Sequence, residues 1–373
     1  MPLDRHAVGR RLARDLLAAD DLPRFDSSAM DGYAAHPARA DQRVLDVVGD
    51  VPAGAAAEFV VRPGQAARIM TGARLPEGAV TVVPVERTDA APTGPAPPKV
   101  TIEGDLAPGQ HIRRRAEDIA RGEVVAPAGT LVDAALLALG RSAGCEHLTV
   151  HTPTRVAVVA TGAELARHGQ DPAAGEIHES NSEMIAALAL EGGCRVTHVE
   201  TCSDDTGELG ALFESLAAAS DVDLVITTGG VSQGAFEVVR QVGEALGGFE
   251  FVHLAMQPGG PQGTGRLGQT PVVCLPGTPV GAYVSFTMLL RPALDERHGN
   301  PPREASSATY IGPSRRTRLG RVQFVSAVVR PDGTVSPAPG VHLRALAGAN
   351  AFIEVPEGVD QLRAGDEVSV RLL

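Results

Sequence analysis

Between residues 155 and 297 the chain alternates short β-branched runs with longer amphipathic segments, and this rhythm restricts the fold more than any other feature. Residues 155–161 (RVAVVAT), 195–201, 222–228 (VDLVITT), 249–256 and 271–275 read as strands. Residues 181–191, 206–219, 236–246 and 278–296 read as helices. Leu209, Leu212, Phe213 and Leu216 recur at helical spacing. Ser180 and Glu183 stand at capping-box spacing, and Thr278 with Pro279 reads as an N-cap followed by a first-position proline. Such alternation predicts a mostly parallel sheet with helices on both faces.

The flanks have other patterns. Val8, Leu12 and Leu16 suggest one stripe of an N-terminal helix, and residues 130–143 a second helix. Residues 44–125 are rich in Val, Gly and Pro in short alternating runs, which predicts a β-rich lobe. After Asn300-Pro301-Pro302 only strands are expected, with Asp332-Gly333 as a turn, and these read as a small β-barrel. The expected fold class is multidomain α/β: a central, mostly parallel α/β domain (153–298), a β-rich lobe (44–124), an N-terminal helical segment with a linking region (1–43 and 125–152), and a C-terminal small β-barrel (299–373).

The length of 373 residues accommodates several domains. An apolar content of 43 % and a charged content of 21 % fit a globular chain, and no apolar run reaches the roughly 18 residues of a membrane span. Residues 1–6 are followed by no apolar signal-peptide core, so a cytoplasmic location is expected. A net charge of −12 argues against general nucleic-acid binding but leaves room for a local anion site. Lys99 is the only lysine. Cys145, Cys194, Cys202 and Cys274 lack metal-ligand spacing and read as buried thiols.

Ligands of open parallel sheets bind beyond the carboxyl ends of the strands. The expected strands end in Thr161-Gly162-Ala163-Glu164, Ser203-Asp204-Asp205, Thr228-Gly229-Gly230-Val231-Ser232, Gln257-Pro258-Gly259-Gly260 and Pro276-Gly277-Thr278-Pro279. Gly229 and Gly230 would let backbone N–H groups approach an anion, with Ser232 and Thr278 adding hydroxyl donors. The helix beginning at Pro279 would point its positive end at the same rim. Glu164, Asp204, Asp205 and Glu237 would bring carboxylates, and carboxylates beside phosphates suit Mg²⁺. One of Asp204 and Asp205 can equally be the cap of the helix at Thr206. No G-x-G-x-x-G directly follows an expected strand, and no P-loop is present.

The residues also resemble a known family. Phe25-Asp26-Ser27-Ser28-Ala29-Met30-Asp31-Gly32-Tyr33-Ala34 is similar to FDNSAMDGYA of the MoeA/gephyrin E-domain family. Residues 68–78 resemble RIMTGAxLPxGA, and 113–119 resemble IRxxGEDI. Residues 161–165 resemble TGDEL, Ser180-Asn181 matches the following SN, residues 229–234 match GGVSxG, and residues 275–280 resemble LPGNPV. The resemblance implies a molybdenum insertase of molybdenum cofactor biosynthesis, with an α/β domain of the molybdopterin-binding type. Such an enzyme inserts molybdate into adenylylated molybdopterin (molybdopterin-AMP) with release of AMP and the help of Mg²⁺. It implies a homodimer with a composite site and a possible molybdopterin adenylyltransferase partner. Carried over by motif, Asp31, Thr71 and Asp118 would act from one subunit, with Glu164 and Glu237 from the α/β domain of the other. Thr161, Gly162, Asp204, Asp205, Gly229, Gly230, Ser232, Pro276, Gly277, Thr278 and Pro279 would bind the ligand, and Glu237 with Asp205 would hold the metal.

Some positions depart from the family pattern. Glu237 replaces the usual Asp, and Ala163 replaces the Asp of TGDEL. KPGKPxxFG reads Gln257-Pro258-Gly259-Gly260-Pro261-Gln262-Gly263-Thr264-Gly265, without either lysine. Arg155, Arg240 and Arg266 are the candidates to compensate. A diverged paralogue that binds a pterin or nucleotide with little turnover, or a gephyrin-like scaffold, stands beside the insertase reading.

Overall fold

The computed structural model describes residues 1–55, 57–166, 170–232, 237–340 and 342–373. The chain divides into two compact units, Met1–Val150 and His151–Leu373.

In the first unit, a five-stranded sheet runs in the order Thr81–Pro84, Gly32–His36, Gln65–Ile69, Val44–Val51, Lys99–Thr101. Gly32–His36, ahead of the expected start of the lobe at residue 44, pairs antiparallel with both Gln65–Ile69 and Thr81–Pro84. Strand alternation sends Ala34, Ala67 and Val82 into one apolar cluster and Tyr33, Ala35, Ala66 and Val83 into another, so both faces are covered. Helix Ala134–Ser142 begins where Asp133 accepts the Leu136 amide at 2.8 Å.

The expected N-terminal helix is not there. A 3₁₀ turn, Arg5–Ala7, ends at Gly9, whose φ of +84° turns the chain into an extended course. Leu12 then bridges Val150, and Leu16–Leu17 pairs with Val124–Ala126. Leu12 and Leu16 are buried while Val8 is exposed. A spacing of four is even, so it fits one face of an extended chain as well as a helix.

The second unit holds a six-stranded sheet in the order Arg195–Cys202, Arg155–Thr161, Leu224–Thr228, Thr270–Leu275, Pro261–Leu267, Glu250–His253. The first four strands are parallel, and Pro261–Leu267 joins antiparallel to both of its neighbours. Ala157 and Val159 face helices Thr206–Ala218 and Val238–Leu246, while Val156 and Val158 face Asn181–Glu191 and the segment from Pro279 to Arg297. The connection from Arg155–Thr161 leads to Arg195–Cys202 on one side, and the next connection crosses back past it to Leu224–Thr228 on the other. That reversal opens a crevice at the carboxyl ends.

The segment expected as one helix over 278–296 is three pieces: Pro279–Ser285, a π-helical Phe286–Leu290, and Arg291–Arg297. Pro292, with no amide N–H, follows the wide turn. The expected strand 249–256 is also divided. Glu250–His253 closes the α/β sheet, whereas Met256–Gln257 pairs in parallel with Val322–Gln323. The start of the helix expected at Phe236 lies outside the described residues.

Beyond residue 305 the strands close on themselves. Val322–Val329 pairs with Thr334–Pro337, which pairs with Ser306–Tyr310, then Glu367–Leu372, then Ala351–Val355, which returns to Val322–Val329. This is the expected small barrel, with Tyr310, Ala327, Val335, Ile353 and Val370 inside. It carries one element not expected, helix His342–Ala347, too short to show a helical period. The four cysteines are free and buried. No helix among the described residues is long and apolar enough to cross a membrane.

Candidate active site

At the carboxyl ends of the parallel strands lies a cavity of about 600 Å³. Thr161, Gly162 and Glu164 line it after the first strand, Asp204 after the second, and Gly229, Gly230 and Ser232 after the third. Pro276, Gly277, Thr278 and Pro279 close it from the last, and Glu237 stands at its edge. The strand ends read from the sequence therefore converge on one hollow.

The loop after Leu224–Thr228 is shaped by its glycines. Gly229 has φ +96°, and a Cβ there would lie 2.2 Å from the Thr161 carbonyl oxygen. Gly230 has φ +63°, and a Cβ there would lie 2.9 Å from the Val239 amide. Only glycine permits both the backbone conformation and the close approach. The expectation that these glycines present their amides to an anion is corrected for Gly229, whose N–H donates to the Leu275 carbonyl at 3.2 Å. The Ser232 amide donates to Glu237 Oε2 at 2.8 Å, so this carboxylate holds the loop's far end.

The Asp204–Asp205 ambiguity resolves. Asp205 Oδ1 accepts the Glu208 amide at 2.8 Å and is the helix cap, and Asp205 is not among the residues lining the cavity. Asp204 lines the cavity, and its Oδ2 accepts the Ala163 amide at 3.1 Å. The capping box of Ser180 and Glu183 is also corrected. Ser180 makes no side-chain cap bond, and Glu179 Oε1 accepts the amides of Asn181 at 2.6 Å and Ser182 at 2.9 Å. Thr278 likewise stands at the start of its helix without a side-chain cap bond.

Asn181 is the knot of the site. Its Nδ2 donates to Gly277 O at 2.7 Å and to Thr228 Oγ1 at 3.1 Å, and Thr228 Oγ1 donates to Pro276 O at 2.9 Å. Two polar atoms beside it, Thr161 Oγ1 and Asn181 Oδ1, are buried without a partner among the described residues. Buried polar atoms rarely stay unpaired, and both of these residues line the cavity. Sequence reading assigned no role to His178, Glu179 or Pro261, which also line the cavity. His178 sits on the two-residue strand Ile177–His178, too short for any periodic signal.

The lining is acidic. Glu164, Glu179, Asp204 and Glu237 line it, and the described lining residues include no Arg or Lys. No cluster of three or more His, Cys, Asp or Glu able to hold a metal occurs among the described residues. A Mg²⁺ ion held by one or two of these carboxylates and by ligand phosphates fits this donor set; an all-protein cage does not. Below the site, burial and the nearby Glu208 carboxylate push the Cys202 thiol up to about 12, so it is no nucleophile at neutral pH.

The residues assigned to the partner side lie in the first unit. Asp31 Oδ1 accepts the Thr71 amide at 2.6 Å and the Thr71 hydroxyl at 2.7 Å, and these bonds hold its carboxyl below the usual range. Asp118, with Pro23, Arg113 and Glu117, lines a separate hollow of about 390 Å³. Asp31 and Thr71 thus form a pair, and Asp118 stands apart from it.

Residues 1–144 match the family described as MoeA N-terminal region (domain I and II). Residues 157–296 match the probable molybdopterin binding domain, and 313–373 the MoeA C-terminal region (domain IV). Molybdopterin molybdenumtransferase 2 of Mycobacterium tuberculosis is 41 % identical over 387 residues, covering 98 % of this chain and 92 % of that one. The chain belongs to the MoeA family. A Bacillus subtilis relative named molybdopterin molybdenumtransferase is 31 % identical over 386 residues, covering 98 % of this chain and 88 % of its own. The crystal structure of a molybdopterin biosynthesis MoeA protein from Pyrococcus horikosii superposes with a TM-score of 0.84 at 28 % identity, covering 100 % of this chain and 93 % of that one.

Proposed function

We propose that this MoeA family member is a molybdenum insertase that transfers molybdate to adenylylated molybdopterin and releases AMP. The observation that carries the reading is the convergence of the family's α/β motifs on one cavity at the sheet's reversal point. Thr161 and Asn181 supply the unpaired polar atoms for the ligand. The loop from Gly229 to Ser232 and the turn from Pro276 to Pro279 shape its walls, and Asn181 ties the two together. Glu237, and with it Glu164 or Asp204, would share a Mg²⁺ ion with the ligand's phosphates. That ion would lower the charge on the phosphoanhydride as AMP leaves.

The proposed enzyme is a cytoplasmic homodimer in which Asp31, Thr71 and Asp118 of one subunit complete the cavity of the other. A molybdopterin adenylyltransferase would supply its substrate. The test is AMP release from molybdopterin-AMP. Release that requires both molybdate and Mg²⁺ supports the reading, and molybdate-independent release or none at all overturns it.

A further inference from the structure

Beside the principal cavity lies a smaller one, of about 200 Å³, that shares Val231, Ser232 and Pro261 with it. Its other lining residues are Arg240, Val252 and His253. The described residues of the principal lining include no Arg or Lys, and the annex brings a guanidinium beside them.

That guanidinium is held in place. Arg240 Nε donates to the Ser232 carbonyl at 3.0 Å. The guanidinium carbon stands 4.7 Å from the centroid of the Phe251 ring, and Nη1 lies 3.5 Å from Glu244 Oε1. Contacts to a loop, a strand and its own helix orient the group, and a planar guanidinium recognises oxyanions through paired N–H donors. The other two arginines that could compensate are engaged elsewhere. Arg155 is paired with Asp223 at 2.7 Å at the far end of its strand, and Arg266 Nη1 donates to Gln269 O.

His253 occupies a particular place. A Cβ built on Gly260 would lie 2.7 Å from His253 Nε2. By the motif, position 260 is where the family's second lysine stands, so the imidazole fills the space through which that side chain would leave the backbone. The loss of the lysine and the position of the histidine are one steric fact.

We propose that Arg240 and His253 form an oxyanion subsite opening off the principal cavity beside Ser232, in place of the lysines missing at Gln257 and Gly260. The ligand class is a tetrahedral oxyanion, either molybdate or a phosphate of the adenylylated pterin, and this assignment of the ligand rests on the proposed function. Arg240 and His253 both line this hollow, and a guanidinium and an imidazole can each donate N–H groups to an oxyanion there. The carboxylates bordering the subsite are Glu244 beside Arg240 and Glu237 at the Ser232 amide.

The experiment is calorimetric titration of the full-length protein with molybdate and, separately, with AMP, at low and moderate salt. The variants are Arg240→Gln, His253→Leu, and His253→Ser combined with Gly260→Lys. Arg240→Gln should weaken one or both probes roughly ten- to hundredfold, the range for one charge-assisted contact, and should flatten the salt dependence. His253→Leu, on an exposed strand position, should weaken the same probe, and the swap variant should regain affinity. A loss confined to molybdate identifies the metal oxyanion, and one confined to AMP identifies the phosphate. Wild-type affinity for both probes in both single variants overturns the subsite. A folded swap variant that regains nothing overturns the histidine-for-lysine exchange. Wild-type protein that releases no AMP yet loses anion affinity in Arg240→Gln would remove the proposed function and keep the subsite. Full turnover with unchanged affinities would do the reverse.

Discussion

Glu237 offers a separation of structure from chemistry within one side chain. One of its oxygens accepts the Ser232 amide at 2.8 Å, and the residue is half-buried at the cavity edge. Glu237→Gln keeps an oxygen able to accept that N–H while removing the charge. A hydrogen bond to a charged acceptor is worth about 1.5–3 kcal/mol and a neutral one about 1, so the stability loss should be about 1 kcal/mol, reduced further by solvent screening. In a unit the size of His151–Leu373, that is a fall in Tm of at most roughly 2–4 °C. If the charge holds the cation or orients molybdate, kcat should fall about 10²–10³-fold, the scale for removing one electrostatic stabiliser. Glu237→Asp, which restores the acid more usual in the family, should recover part of the rate. Glu237→Ala should lose the rate and the loop bond together. AMP release followed by chromatography, with calorimetric melting of each variant, measures both quantities. A Gln variant as active as wild type would show that the charge does no chemistry. A Gln variant that melts as low as the Ala variant would reduce Glu237 to a loop fastener.

Four further outcomes are expected. Asp31→Ala and Gly230→Asp should each be inactive alone yet recover activity when mixed, since one hybrid site carries neither lesion; tagged mixed dimers without recovery would place the whole site in one chain. Asn181→Leu removes donors to Gly277 O and Thr228 Oγ1, costing about 1–3 kcal/mol in all; the loosened turn should raise KM more than it lowers kcat, and an unchanged KM would refute the tie. The Arg155 guanidinium holds the Asp223 carboxyl down to about 2, so this pair's stabilisation is present above the ordinary carboxylate value of 3.8 and lost as pH falls toward 2; acid melting of Asp223→Asn should lack that component between about pH 4 and 2, and identical acid curves would dismiss it. Burial pushes Cys194 and Cys274 up to about 11 and Cys202 up to about 12, so these thiols should resist iodoacetamide at pH 8 until the protein unfolds; rapid labelling of the native protein, located by mass spectrometry, would contradict this.

The α/β core was readable because its central strands, Arg155–Thr161 and Leu224–Thr228, are rich in β-branched residues and buried on both faces. Arg155–Thr161 has the bounds its sequence suggests. Pro261–Leu267 escaped because Gly263 and Gly265 erase the strand pattern. The structure shows their purpose: a Cβ at Gly263 would lie 2.7 Å from the Phe251 ring, and one at Gly265 2.4 Å from the Phe249 ring. These rings stack across the sheet with Phe213, so small residues are required where the sequence looks least like a strand. The cavity was readable for a related reason, since strand ends are fixed once strands are. Which carboxylate caps and which lines was not readable. Asp204 and Asp205 are adjacent and chemically alike, and only the turn of the chain at Thr206 tells them apart. Glu179 was hidden because its capping role depends on reaching forward past Ser180, a choice of rotamer and backbone that leaves no mark in residue spacing.

The short pairing of Met256–Gln257 with Val322–Gln323 has a consequence for how such a chain can evolve. The wall segment carrying Gly259 and Pro261 leaves the barrel's edge at Gln257 and enters the α/β sheet at Pro261. No described residue beyond 279 lines the principal cavity, yet the barrel is the mooring for one end of that wall. A gene that lost the region after residue 299 would still encode all six strands of the α/β sheet. Its product would have a cavity with one side adrift. Selection on the cavity wall therefore reaches into the barrel, whose Arg315, Gln323 and Phe324 share a hollow with Thr278 and Pro279 of that wall, and the barrel cannot be shed or exchanged as a free-standing module.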